Sequence, residues 1–248
     1  MKRVCDFTIA AMALLISSPL LLGAICLIWW QDGFSPFYIA PRVGLQERLF
    51  NIIKLRSMVR NADKAGIDST AMDDQRITPV GRFVRKYKLD ELTQLWNVLK
   101  GEMSLVGPRP NVKRETDLYT REEKRLLSVR PGITDFASIV FSDEAEILAG
   151  RPDPDIAYNQ LIRPGKSRLG IFYIDHASLG VDIRVIWLTA VAVVSKRSAR
   201  RGVVAMLNRL GAPPDLIEIA RRDKSLVPAP PPGSAKIVTS RQIAVEPE

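Results

Sequence analysis

Leu89-Asp90-Glu91-Leu92-Thr93-Gln94-Leu95-Trp96-Asn97-Val98-Leu99-Lys100-Gly101-Glu102-Met103-Ser104-Leu105-Val106-Gly107-Pro108-Arg109-Pro110 carries the pattern from which the rest of the chain is read. Leu92, Leu95, Trp96 and Leu99 recur at the three-and-four spacing of a buried helix face, and Asp90, Gln94 and Asn97 fall opposite. Gly101 is expected to stop this helix. Asp90 and Glu91 open it, beside backbone N–H groups whose dipoles favour anions, so Asp90 is expected to stay ionised with a phosphate able to dock beside it. From this helix alone a simple N-cap is the plainer reading of Asp90.

Working outward, the preceding stretch from Ile77 to Lys88 starts a helix at Thr78-Pro79 and sets Arg82 and Arg85 one turn apart, where both can face a phosphate or the carboxylate pair. Phe37 to Ala40, a Pro41-Arg42-Val43-Gly44 turn, and Leu49 to Leu55 read as a strand hairpin. Lys54 and Arg56 close its second strand on one face and can reach one anionic group together, or stand there as two solvated charges. Asn61 to Asp74 is polar and without period, as a surface loop would be.

Further upstream, Met1-Lys2-Arg3 precedes an apolar run from Phe7 to Trp30, long enough to span a bilayer and longer than the apolar core of a signal peptide. Pro19 removes a helical hydrogen bond at its middle, and Ser17 and Ser18 can serve the freed carbonyls, so a bend is expected there. A straight helix would put the following domain across the membrane, whereas a bent one would return both ends to the same face.

Downstream, residues 112–127 read as a charged helix, Val129-Arg130-Pro131-Gly132-Ile133-Thr134 as a turn into a short strand, and Ser167 to Ala177 as a helix with His176 near its end. Val181 to Val194 is apolar nearly all round, too short to span, and followed by Lys196, Arg197, Arg200 and Arg201. It suits a core helix or one lying at a membrane interface. From about Pro213 the chain reads as a disordered or linker tail, with Pro228-Ala229-Pro230-Pro231-Pro232-Gly233 within it.

With 248 residues and 46% hydrophobic content the chain can bury a sizeable core. Its formal net charge of +9 suits an anionic membrane face or phosphorylated substrates as well as nucleic acid. One histidine, His176, excludes mechanisms that need several imidazoles. Cys5 and Cys26 have neither zinc nor disulfide spacing and read as reduced.

The stretch from Leu89 to Pro110 closely resembles the signature of the bacterial sugar transferases, the monotopic phosphoglycosyl transferases. Ser18-Pro19, Lys54-Leu55-Arg56-Ser57-Met58 and Val129 to Thr134 match the same family in order, so the resemblance covers roughly residues 1–200. It implies an α+β, mostly helical fold: a re-entrant membrane helix (1–31) broken at Ser18 and Pro19, then a small cytosolic catalytic domain (32–202) with a short β-hairpin and interfacial amphipathic helices. Residues 203–248 would be a C-terminal extension ending in the Pro-rich tail. The implied reaction moves a sugar 1-phosphate from a nucleotide diphosphate sugar, usually a UDP-sugar, to polyprenol phosphate, releasing UMP as the first membrane step of a bacterial glycan pathway. The implied location is the cytoplasmic face of the inner membrane, against its anionic lipids, and nucleic acid is not an expected partner.

Carried over by position, Asp90 would be the nucleophile and Glu91 its partner and the base for the acceptor. Mg²⁺ is the family cofactor, and Asp90 is expected to contact it, because a carboxylate meeting a diphosphate needs a bridging cation. Arg109, held between two prolines, is preorganised to fork onto a phosphate. Lys54, Arg56, Arg82, Arg85 and Arg130 are further substrate-binding candidates. Many relatives follow Pro-Gly-Ile-Thr with Gly-Leu/Trp-Ala-Gln-Val, whereas this chain has Asp135-Phe136-Ala137-Ser138-Ile139, so donor recognition is expected to differ there. Two other readings stand beside the transferase: a non-enzymatic membrane adaptor, and a phosphohydrolase that passes the phosphosugar to water.

Overall fold

The computed structural model describes residues 1–62 and 69–240. Helix α1 (Lys2–Asp32) is long and apolar enough to cross a membrane, and little of it is buried against the rest of the chain. It runs continuously through Pro19, and Ser18 Oγ donates to Leu15 O at 2.7 Å, the carbonyl that the missing proline N–H leaves free.

Both ends of α1 are fastened to the same body. At the start, Lys2 Nζ lies 2.5 Å from Asp182, and Arg3 donates to Val98 O and Leu99 O. One turn on, Asp6 accepts from Ser104 Oγ and Leu105 N. At the far end Asp32 pairs with Arg56 at 2.5 Å, while Leu21, Ala24 and Ile28 pack with Leu55, Val84 and Leu89. Leu15 and Ile16, between these anchors, are at least three-quarters exposed.

Strands β1 (Phe37–Val43) and β2 (Leu49–Leu55) pair antiparallel, with Phe37 opposite Leu55 and Val43 opposite Leu49. The expected turn at Pro41–Gly44 is therefore mostly strand. Pro41 is tolerated because a two-stranded sheet leaves one edge of each strand unpaired, and the chain turns after Val43 instead. Helix α2 (Pro79–Lys86) starts as expected, with Thr78 Oγ1 accepting from Gly81 N at 2.9 Å. Gly81 is required: a Cβ there would meet Ser57 O at 1.9 Å, and this contact seats α2 on the end of the hairpin.

The deciding helix is split. Helix α3 (Leu89–Leu92) and helix α4 (Leu95–Lys100) are separated by Thr93 and Gln94, and Gly101 ends α4 at φ 87° as expected. Asp90 is not the cap; Lys88, at φ 54°, holds that position. The expected polarity of the helix also needs correction, since Gln94 and Asn97 are buried and Trp96 is half exposed. The reason lies in the hairpin. Asn97 accepts from Ile53 N and donates to Asn51 O, and Thr93 Oγ1 donates to Ile53 O, so the helices cover the otherwise open edge of β2 with side-chain hydrogen bonds. The apolar side meets α1.

Strand β3 (Ser104–Val106) and strand β4 (Gly132–Thr134) form a short parallel pair. Between them helix α5 (Lys113–Thr116) and a 3-10 segment, Glu123–Ser128, replace the single charged helix expected over 112–127. Helices α6 (Phe136–Val140), α7 (Glu144–Leu148), α8 (Pro154–Leu161), α9 (Arg163–Asp175) and α10 (Leu179–Val194) follow. His176 ends α9, its ring stacked 4.0 Å from that of Phe172. On α10, Ile183, Trp187, Val193 and Val194 are exposed.

Helix α11 (Lys196–Arg209) runs through the boundary expected after residue 202, and α12 (Pro214–Arg221) follows it. Ala199, Val203, Leu207 and Ala220 are fully buried in the main core. Pro231 and Pro232 are also buried; Thr120 Oγ1 donates to Pro232 O and Ala229 N to Gln160 O. Through Ser240 this segment lies against the domain, where the sequence suggests a free tail. Residues 63–68, part of the expected surface loop, and 241–248 lie outside the described residues.

Candidate active site

A cavity of about 530 Å³ opens between the end of the hairpin, α2 and α3. Among the described residues, Asp90 is the sole acidic side chain in its lining, against Arg42, Lys54, Arg56, Arg60, Arg76 and Arg85. Two of these cations are already matched. Arg76 pairs with Asp74, and Arg56 forks onto Asp32 at 2.5 and 2.6 Å while also donating to Ser35 O. Among the described residues, no carboxylate pairs with Arg42, Lys54, Arg60 or Arg85, and the Asp90 carboxylate accepts no hydrogen bond. The cavity therefore carries a surplus of positive charge around one unpartnered anion, which is what a phosphate-bearing ligand requires.

The local sequence explains the arrangement. Asn97 and Thr93 hold the backbone of Asn51 to Ile53, so β2 delivers Lys54 to Asp90 and Glu91, three and two residues before Thr93. Burial lowers the Lys54 ammonium to about 8; Arg109 adds to that effect, while Glu91 and Asp90 oppose it. Burial and the neighbouring Glu91 push Asp90 up, against Lys54, Arg85 and Arg109. Arg85 is fixed by donating from Nε to Ser57 Oγ at 2.8 Å.

Glu91 has a different environment. Arg109 Nη2 lies 2.6 Å from its Oε1. Burial alone would raise its carboxyl, but Arg109, Lys88 and Lys54 outweigh that and hold it at about 2. Adjacent carboxylates are thus driven apart, one up and one down, the pattern expected where two acids have different tasks. Arg109 is stationed there by a tight backbone crossing. A Cβ on Gly132 would meet Gly107 N at 2.1 Å, and one on Gly107 would meet Arg130 O at 2.6 Å, so both must be glycine for β3 and β4 to close.

Of the residues expected to bind substrate, Lys54, Arg56 and Arg85 line the cavity with Asp90. Arg109 does not; it faces Glu91 and a polar pocket of about 40 Å³ shared with Asp135 and Ser138. Arg130 donates from Nε to Gly101 O, serving with Arg3 to cap the carbonyl end of α4. Arg82 is exposed and absent from the cavity lining. The departure at Asp135–Ile139 forms a cap: Asp135 accepts from Ser138 N and Oγ at 2.7 Å and so starts α6. Sequence reading missed Arg42, Arg60 and Arg76. Arg42 reads as part of a turn, and Arg60 and Arg76 flank the stretch from Asn61 to Asp74 that has no period, so the sequence carried no signal for them.

Among the described residues no group of three or more Asp, Glu, His or Cys side chains could hold a metal ion. Were a Mg²⁺ ion to bind here, Asp90 is the described carboxylate of the cavity lining that would hold it, and the ion would supply charge neutralisation for a phosphate-bearing ligand.

A comparison with known proteins completes the picture. Residues 1–196 match the bacterial sugar transferase family. The chain is 35% identical over 189 residues to an uncharacterized sugar transferase, EpsL, of Bacillus subtilis, covering 76% of this chain and 85% of that one. It is 34% identical to the UDP-N-acetylgalactosamine-undecaprenyl-phosphate N-acetylgalactosaminephosphotransferase of Aeromonas hydrophila and 35% identical to the undecaprenyl-phosphate galactose phosphotransferase of Salmonella typhimurium. In both cases 80% of this chain is covered but less than half of the relative, 45% and 41%. With the cationic cavity around Asp90 falling inside the matched span, the chain belongs to the bacterial sugar transferase family and is an enzyme of the transferase class.

Proposed function

We propose that this protein transfers a sugar 1-phosphate from a UDP-sugar to a polyprenol phosphate through a phosphosugar bound to Asp90. The observation that carries the reading is that, among the described residues, one unpartnered carboxylate stands in a cationic cavity, within a chain of this family. Asp90 Oδ attacks the sugar-bearing phosphorus; the bond to the bridging oxygen breaks and UMP leaves with its electron pair. An oxygen of the polyprenol phosphate then attacks the same phosphorus and frees Asp90.

Lys54 and Arg85 face the charge that gathers on the phosphoryl oxygens. Glu91, held ionised by Arg109, keeps that arginine in place. The acceptor needs little help from a base, because a phosphate monoester with a second pKa near ~6 is mostly ionised at neutral pH. Mg²⁺, bound through Asp90, would offset the repulsion between carboxylate and diphosphate.

Both ends of α1 are tied to one body, and its exposed middle is apolar, which supports a re-entrant helix and a monotopic enzyme at the cytoplasmic face. The exposed apolar face of α10 supports a second contact at the interface.

The test is a panel of UDP-sugars incubated with purified protein, Mg²⁺ and undecaprenyl phosphate. UMP that appears with lipid product is the expected result. UMP at full rate without lipid would assign a phosphohydrolase, and no UMP from any donor would leave the adaptor.

A further inference from the structure

The cavity has a second wall that this chemistry leaves unused. Phe34, Phe37 and Tyr38 line it beside the cations, and Phe34 and Phe37 stay 45% and 39% exposed. They belong to the loop and first strand residues that leave the membrane helix, whose last turns expose Leu27, Trp29 and Trp30. Apolar surface therefore continues from the lipid-facing helix to the rim of the cavity. The wall is also fixed. Arg56 spans Asp32, Phe34 O and Ser35 O, and Asp32 accepts from Phe34 N at 3.1 Å. Arg60 lies over the Phe34 ring, its guanidinium carbon 4.2 Å from the centroid, so a cation borders the aromatic surface on the cavity side.

We infer that Phe34 and Phe37 form the subsite for the first isoprene units of the acceptor, with Arg60 placed to meet the acceptor's phosphate. This rests on the proposed transferase reading and specifies which wall takes the lipid. A long-chain prenyl phosphate must keep its tail in the bilayer while its phosphate reaches Asp90. This aromatic wall is continuous at one end with the membrane helix and at the other with the cationic lining. Arg56, expected to bind substrate, acts here as a positioning residue for the wall.

The reaction separates into two measurable halves. Full-length protein in phospholipid vesicles is given an accepted UDP-sugar, first without undecaprenyl phosphate to follow the Asp90 adduct by intact mass, then with it to follow product. Phe34→Ala combined with Phe37→Ala should raise the KM for undecaprenyl phosphate by about tenfold or more while adduct formation stays within about twofold of wild type. Farnesyl phosphate, which carries those first isoprene units, should show a similar rise in KM. The Leu pair at the same positions should keep KM near wild type, because an isoprene surface accepts an aliphatic partner. Slowed adduct formation in both the Ala and Leu pairs would overturn the assignment and give the wall to the nucleobase, which needs a flat ring. Unchanged KM in the Ala pair would overturn it as well. Wild-type protein that makes neither adduct nor lipid product would sink the parent reading itself.

Discussion

Two carboxylates that stand beside arginine, Glu123 and Asp90, have opposite outcomes. Glu123, fully buried, accepts from Arg163 Nε at 2.9 Å and Nη2 at 2.5 Å, from Ser167 Oγ at 2.7 Å and from Thr120 N at 3.1 Å. Arg163 also donates to Asn159 Oδ1 and Leu118 O, so four of its five N–H donors are engaged. Around Asp90 the same residue types stand apart over an open cavity, and the anion has no partner among the described residues. A satisfied ion pair fastens 3-10 segment to helix, whereas an unsatisfied set holds electrostatic stabilisation ready for a charge that arrives with substrate.

The contrast can be broken from either side. Asp90→Asn should leave the fold intact and cut transfer by about 10³-fold or more, with the phosphosugar adduct absent by intact mass. An adduct that survives would move the nucleophile elsewhere. Arg163→Met should do the reverse: roughly 3–5 kcal/mol lost in denaturant unfolding, because Glu123 is left charged and buried, while the folded fraction retains adduct formation. Asn97→Ala probes the link between the two helices and the cavity. It strands Ile53 N–H and Asn51 C=O and should cost about 1–3 kcal/mol in the same measurement.

The pH dependence gives a finer test. Lys54 titrates at about 8 in the folded protein against an ordinary 10.5, so the transfer rate should fall as pH rises through about 8 and the cation is lost. Between those two values the unfolded chain binds more protons than the folded one at this site, so its contribution to stability rises with pH while activity falls. Lys54→Met should remove the inflection from the rate profile; a profile unchanged in shape would take the Lys54 charge out of the reaction. Glu91 has the opposite sign. Its folded value near 2 lies below the ordinary 4.5, so its contribution is present above 4.5 and is lost as pH falls toward 2.

Much of the site was legible because it is short-range. Asp90, Glu91 and the stop at Gly101 lie within one helical stretch, and Thr78-Pro79 marks the start of α2 through its own side chain. Errors arose where a side chain answers to something distant in the chain. Gln94 and Asn97 follow the periodicity of an exposed face, yet Asn97 is buried because β2, more than forty residues earlier, presents an open edge. Arg56, Arg109 and Arg130 were expected on substrate from a shared strand face, flanking prolines and a family motif, none of which shows that Asp32, Glu91 and the carbonyl of Gly101 respectively also engage them. The tail reads as free because proline-rich composition predicts extended backbone and says nothing of the surface that receives it.

By itself, the sequence determined the long apolar helix, the predominance of helices with small sheets, and the family to which the signature points, since composition, periodicity and contiguous motifs are local properties. Tertiary structure alone decided which charges remain unpaired. Whether an arginine serves a phosphate or a neighbouring carboxylate depends on distances across the fold, and those distances leave Asp90 open while closing Glu91 and Glu123.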